Sequence, residues 1–410
     1  MPKIIAVALL LLVLQSTNAQ SLPQNAARLV QTYNRPIQQQ WKGVFSFPGG
    51  DVWFSNNFPG ARVSGVARVN DSLYTLLITS ENTPVNASPW YAFKVWSKRP
   101  QQIVIKLTYQ QGVNHRYAPW ISKNGQDWSL LTQESERDSA TPDYSFHLRV
   151  GADTTWVAAQ ELSTSADVQR WANQVSKKAG VPVTVIGKSQ WGKPINALKW
   201  GNQQSCSRIL LMSRQHSPEV TGQIAQKAFV ERLLENDALA KQFRQRFLVY
   251  LLPMLNPDGV DEGTWRHSAG GVDLNRDWYA FNQPETKAVQ QYLQRELANT
   301  DNKLLFALDF HSTQEEIFFI VDPKQKSLLP GFSQTWIQAT QQQVTDLKPV
   351  IRPLVSEGPS YTSLSYLFQT YGTETIVHEL SDNSPREWLI RKSKASAVAM
   401  MQLLLNQVPE

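Results

Sequence analysis

The sequence predicts two fold classes in succession: an all-β sandwich, then an α/β domain whose mixed, twisted sheet is flanked by helices. Three observations carry that expectation. From about residue 44 to residue 162, short apolar and aromatic runs are separated by Pro, Gly, Asn and Asp clusters, the pattern of an antiparallel sandwich. After Ser163 the texture changes to apolar strands alternating with helical stretches, which is how an α/β sheet reads in sequence. The residues with metal-binding chemistry fall at the ends of those strands, where open α/β sheets bind their ligands. A length of 410 residues accommodates two such domains, each able to bury a core.

Taken in order, residues 1–19 read as a signal peptide. Lys3 precedes an apolar run from Ile4 to Leu14, and small residues follow around Ala19. The run is shorter than the ~20 residues a spanning helix needs, and no later stretch is longer. The expectation is an exported protein, periplasmic or secreted, with no membrane span. Residues 20–162 form the sandwich, with strands expected over 51–55, 72–78, 91–96 and 102–107 and a hairpin turning at Asn124-Gly125. Its tryptophans, Trp53, Trp90, Trp96, Trp120 and Trp128, suit packing aromatics better than a sugar-binding platform. In residues 163–410, helices are expected over 167–178, 219–234, 283–297 and 385–405. Strands are expected over 182–187, 195–200, 208–212, 247–252, 303–310 and 374–380.

The charge balance narrows the function classes. Forty Lys and Arg against 34 Asp and Glu give a formal charge of +6, but the two signs are interspersed without a basic run. That is a solvated mixed surface and not a nucleic-acid footprint. Cys206 is the single cysteine, which rules out an intrachain disulfide and a thiolate cluster. Its expected role is that of a small buried apolar residue.

The chemistry begins at Ser213-Arg214-Gln215-His216-Ser217-Pro218-Glu219, directly after a predicted strand. His216 and Glu219 form H-x-x-E at a strand-to-helix junction, and His311 follows another predicted strand in Asp309-Phe310-His311-Ser312. Two imidazoles and a carboxylate leave one position open, the ligand set of a catalytic zinc site; structural sites are closed and usually thiolate-rich. H-x-x-E alone specifies little, and the signal is the combination across separate strands. Asp273 and Asp309 are both candidates to accept the remaining N–H of an imidazole. Arg266 and Arg276 lie in motif-like loops, where a guanidinium can polarise a carbonyl or grip a carboxylate; taken singly, each also reads as surface arginine.

Six segments resemble the M14 family of zinc carboxypeptidases: HSPE from His216, LNPDG from Leu255, WRHSAGGVDLNRDW from Trp265, PETKAV from Pro284, ALDFHS from Ala307 and TIVHEL from Thr375. They span nearly all of the second domain in the family's order. Within the family the chain is most similar to the cytosolic-carboxypeptidase-like branch, whose members carry a β-sandwich before the catalytic domain, and residues 81–93 resemble part of that domain. The resemblance implies Zn²⁺ held by His216, Glu219 and His311, with Arg266 stabilising the oxyanion. It further implies that Asn275 and Arg276 bind the substrate's terminal carboxylate and that Glu379 is the general base. Tyr361 is nearest in order to the family's mobile tyrosine. No Asp occurs near Leu364-Ser365, so a terminal Lys or Arg is not favoured and an acidic or neutral terminal residue is expected.

The implied reaction is hydrolysis of the last peptide bond of peptides or proteins. One alternative is a zinc amidase or deacylase acting on peptidoglycan stem peptides or N-acyl amino acids. A second is a non-catalytic binding protein on a peptidase scaffold, although such proteins usually lack a ligand or the base, and here all are present.

Overall fold

A computed structural model describes residues 36–82, 88–110, 112–132, 135–137 (backbone only) and 143–409. The leader expected at residues 1–19 lies outside the described residues.

The N-terminal part is two stacked sheets. One has the order Val44–Phe45, Val52–Ser55, Ala92–Ser97, Thr155–Ala158, Trp120–Ser122, Ser129–Leu130, all antiparallel. The other has the order Gly65–Arg68, Leu73–Ile78, Gln101–Tyr109, Tyr144–Val150, Ser135–Arg137. Alternation along Gln101–Tyr109 puts Ile103, Ile105 and Leu107 inward, against Phe54, Phe93 and Val95 of the facing sheet. The expected all-antiparallel sandwich needs one correction: Leu73–Ile78 and Gln101–Tyr109 run parallel. The chain between them crosses to the opposite sheet to form Ala92–Ser97, and so re-enters in its original direction. The hairpin at Asn124-Gly125 forms, with Gly125 at φ +74°. The tryptophans do not make one platform. Trp90 is buried with Nε1 donating to Gly60 O, Trp53 and Trp96 stack as a cross-strand pair, and Trp120 lies under Arg386.

The C-terminal part is an eight-stranded mixed sheet among the described residues. Its strands are β1 (Thr184–Lys188), β2 (Pro194–Gly201), β3 (Ser207–Ser213), β4 (Leu248–Leu252), β5 (Lys303–Thr313), β6 (Ile317–Val321), β7 (Val350–Leu354) and β8 (Glu374–Ser381), in the order β1-β2-β4-β3-β5-β8-β6-β7. The central β4, β3, β5 and β8 are mutually parallel. They are apolar on both faces because both faces are covered. Ile209 and Leu211 of β3 join one core with Phe229 and Met400, while Leu210 and Met212 join the other with Trp278 and Leu293.

The helices are α1 (Ser165–Ala179), α2 (Val220–Leu233), α3 (Ala238–Arg246), α4 (Pro257–Glu262), α5 (Pro284–Glu296), α6 (Phe332–Gln343), α7 (Ser363–Tyr371) and α8 (Arg386–Gln407). α1 begins where the sequence signals it: Thr164 and Asp167 form a capping box, and Gly180 ends the helix in the left-handed conformation. LNPDG starts α4, with Asn256 capping Gly259 N and Pro257 in the first turn. Cys206 is exposed just before β3, against the expected burial.

The two parts are joined by polar contacts, most of them part-buried. Arg116 Nε donates to Asp382 at 2.8 Å, and Arg386 Nε donates to Glu161 at 2.7 Å. The buried Glu81 carboxylate accepts backbone N–H bonds from Trp265, Arg266 and His267.

Candidate functional site

Three parallel strands deliver the site. β3 ends at Ser213, and the chain turns through Arg214, a non-glycine residue at φ +57°. The strained turn is braced by the fully buried Arg214 guanidinium, which donates to Gln223 Oε1, Ser163 O and Ser217 O. Glu219 is the residue before α2 and makes no capping hydrogen bond with its side chain, so its carboxylate is free to face the imidazoles. β5 carries His311, and β8 carries Glu379 directly beside it in register. Gly222 lets α2 approach β5: a Cβ there would stand 2.7 Å from His311 O, and Gly222 N donates to Ser312 Oγ at 2.8 Å.

His216, Glu219 and His311 converge, each offering a ligand atom within 4.8 Å of the others, all three buried. The two imidazoles are oriented alike. His216 Nε2 is 2.8 Å from Asp273 Oδ1, and His311 Nε2 is 3.1 Å from Asp309 Oδ2. Each Nε2 therefore donates its N–H to an aspartate, leaving the Nδ1 lone pair pointing inward. Inward, His216 Nδ1 stands 2.7 Å from Glu219 Oε1, and His311 Nδ1 stands 2.7 Å from Glu219 Oε2 without the geometry of a hydrogen bond. Acceptors this close repel unless a cation lies among them, so the donor set fits Zn²⁺. Both aspartates proposed from sequence serve, one per imidazole. Asp309 is held in turn by Gln215 Nε2 and Ser363 Oγ, each at 2.6 Å.

The charges reflect this crowding. Burial alone would raise the Glu219 carboxyl, but His216 and His311 outweigh it and hold it well below the usual range. Without a cation among them, burial is outweighed at His311 by Asp309 and Glu219, which hold it well above its ordinary value, so the metal-free cluster takes up a proton that a metal would displace. Glu379 behaves oppositely: burial, then the charge of Glu219, push it up to about 7. Its Oε2 is buried without a hydrogen-bond partner.

Beside the His216–Glu219–His311 cluster lies a cavity of about 200 Å³. Its polar wall is His216, Arg266, Asn275, Arg276, Thr362 and Glu379; its apolar wall is Phe319, Leu354, Leu364 and Val377. Arg266 Nε donates to Asp273 Oδ2 at 2.6 Å, so Asp273 ties that guanidinium to the His216 imidazole. Burial would weaken the Arg266 charge, but Asp273 and Glu219 raise its pKa instead. Asn275 Oδ1 accepts from Ser363 N, which leaves the amide nitrogen for a ligand, and Arg276 Nη1 donates to Asn275 O. Tyr361 stands apart: its ring lies 5.7 Å from that of Tyr279, and the neighbouring Thr362 lines the cavity in its place. Gln215 and Ser363, which fix Asp309, went unnoticed in the sequence because neither carries a motif of its own.

A metal-ready His–Glu–His cluster at the carboxyl ends of parallel strands, next to a cavity with two arginines, defines a metallocarboxypeptidase-type site. The chain belongs to the M14 peptidase family of zinc carboxypeptidases, whose model matches residues 168–401; Zn²⁺ is the family's cofactor. Mouse cytosolic carboxypeptidase 1 is 38% identical over 303 residues, covering 60% of this chain and 24% of the mouse protein. An uncharacterized protein of Zymomonas mobilis is 26% identical over 248 residues, covering 58% and 63%. The chain thus spans less than two thirds of the length of these relatives. The fold matches a metallo-carboxypeptidase from Burkholderia cenocepacia (TM-score 0.71, 17% identity, 87% of this chain and 99% of that one). It also matches one from Pseudomonas aeruginosa in complex with (2-guanidinoethylmercapto)succinic acid (TM-score 0.71, 19% identity, 87% and 100%).

Proposed function

We propose that the protein removes single residues from the free C-termini of peptides or proteins, with His216, Glu219 and His311 holding Zn²⁺. The observation that carries this reading is the cavity in which Asn275, Arg276, Arg266 and Glu379 share one wall with a metal ligand. A terminal carboxylate placed on Arg276 and the Asn275 amide is gripped by charge-assisted hydrogen bonds. That grip sets which peptide bond lies beside Glu379, a gain in proximity and orientation.

Bound zinc supplies Lewis acidity for the scissile carbonyl and the attacking water. Glu379 takes the proton from that water and returns it to the leaving amine. Arg266, fixed through Asp273, donates to the oxygen on which negative charge develops, where a preorganised donor is worth about 3–4 kcal/mol. The apolar wall of Phe319, Leu354, Leu364 and Val377 supports a neutral terminal side chain. Export belongs to the same reading, on the leader at residues 1–19, although relatives named cytosolic carboxypeptidases carry a different address.

The test is a matched pair of peptides with free and amidated C-termini. Single-residue release from the free acid is expected, with the amide nearly untouched, since an amide leaves the guanidinium poorly paired at a cost of about 1–3 kcal/mol. Arg276→Ala should erase most of the difference by depressing only the free-acid rate. Equal cleavage of both peptides, or dominant internal products, would overturn the carboxypeptidase reading.

A further inference from the structure

We infer that the β-sandwich supplies a positioning residue to the active site: Glu81, which sets the backbone that presents Arg266. Glu81 lies just beyond the strand Leu73–Ile78 and is fully buried. Its Oε2 accepts Trp265 N at 3.0 Å, and its Oε1 accepts Arg266 N at 2.8 Å and His267 N at 3.0 Å. Three consecutive amides converging on one carboxylate form an anion nest, here filled from another domain of the same chain. Asn82 continues the contact, its Oδ1 lying 2.7 Å from His267 Nδ1.

The loop's other hydrogen bonds fall to either side of Arg266: Thr264 N donates to Gly259 O, Thr264 Oγ1 donates to His267 O, and Ser268 N donates to Val272 O. The loop lies outside the named strands and helices, between α4 and the short turn at Leu274–Arg276. The flanks are pinned by the sandwich as well: Trp265 packs edge-on to Tyr117 and under the Arg116 guanidinium. Arg266 is therefore fixed at two points, its backbone N–H by Glu81 and its Nε by Asp273. Removing the first leaves the guanidinium tethered at one end only. Its distance from the developing oxyanion then becomes a distribution. A buried carboxylate also fixes the loop more tightly than a neutral acceptor, because hydrogen bonds to an ionised oxygen are about twice as strong.

The inference rests on the oxyanion role proposed for Arg266, and the experiment separates the two. Glu81→Gln, Arg266→Ala and the double variant are compared with the parent at saturating zinc, with zinc content, kcat and KM measured for each. Glu81→Gln keeps the side chain's shape but turns an NH2 group towards at least one backbone N–H. Expected are full zinc content, a kcat lower by about 10-fold to 100-fold, nearly unchanged KM, and a double variant no slower than Arg266→Ala alone. Non-additivity of this kind marks two residues acting as one unit, whereas a merely structural loss would add to the Arg266 defect. Glu81→Asp, which keeps the charge and draws it back by one methylene, should give the same split in milder form; it takes the place of Glu81→Gln should that variant fail to fold. A normal Arg266→Ala enzyme overturns the oxyanion role. An impaired Arg266→Ala enzyme with additive or absent effects at Glu81 overturns the inference alone.

Discussion

Asp273 accepts from both the His216 imidazole and the Arg266 guanidinium, so replacing it by Asn tests the proposed metal binding and the proposed charge stabilisation separately. Its Oδ1 accepts from His216 Nε2 and Asn275 N, both at 2.8 Å, and its Oδ2 accepts from Arg266 Nε at 2.6 Å. An Asn has one oxygen for three donors. Whichever way the amide turns, an NH2 faces either Arg266 or the His216–Asn275 pair, so one charge-assisted bond is lost at about 1.5–3 kcal/mol. The imidazole also loses the anion that makes it a better ligand, and loss of such a partner weakens metal binding about 10-fold to 100-fold. Asp273→Asn should therefore raise the zinc Kd by that factor in a chelator competition. At saturating zinc, kcat/KM should fall by a further 10-fold or more. Asp309→Asn is the control: Asp309 orients His311 but touches no arginine. It should weaken zinc by a similar factor with a smaller defect once zinc is saturating. The reasoning fails if Asp273→Asn binds zinc within about twofold of the parent, or if the two variants cannot be told apart in zinc-saturated kinetics.

Glu379→Gln should keep zinc and fold while kcat falls by several orders of magnitude, because the amide cannot accept a proton; near-normal kcat removes Glu379 from the mechanism. A third expectation concerns acid stability. On β8, His378 points away from Glu379 into a buried group with Glu316 and Lys392, its Nε2 2.8 Å from Glu316 Oε1 and its ring stacked on Phe318. Burial, then the Lys392 charge, depress His378 from 6.5 to about 4. Burial would raise Glu316, but Lys392 and His378 hold it at about 2. Both folded pKa values lie below their unfolded values, so stability is complete above pH ~6.5 and is lost as pH falls, through His378 first and Glu316 later. By pH 5 the loss from His378 is roughly 2 kcal/mol. A Tm unchanged between pH 7 and pH 4.5 contradicts this account.

The metal ligands were legible because strand ends and ligand types coincide in the sequence: His216 and Glu219 follow one apolar run and His311 ends another. Both aspartates were visible as candidates, but only the fold gives each its own imidazole. Several elements were not legible. The stretch 317–321 is a short apolar run with no periodicity to decide it. The helix Phe332–Gln343 is rich in Gln, Ser and Thr and starts at Gly331 without a side-chain cap. The parallel strand pair in the sandwich depends on where the chain changes sheets, which no local pattern records. Glu81 begins the stretch 81–93 that resembles the branch's sandwich, but nothing local gives it a role, since the amides it binds belong to a segment 184 to 186 positions away.

The side-by-side placement of His311 and Glu379 has a consequence for how such a protein can diverge. Their spacing is set by the ladder between β5 and β8, a rigid repeat of ~4.8 Å that no loop adjusts. The chain between them, residues 312–378, contributes Phe319, Leu354, Thr362 and Leu364 to the cavity wall. Insertions, deletions or exchanges in its loops can reshape the pocket for a different terminal residue while the proposed metal ligand and the proposed base keep their distance. Novelty in what is recognised is thereby uncoupled from risk to how the bond is broken.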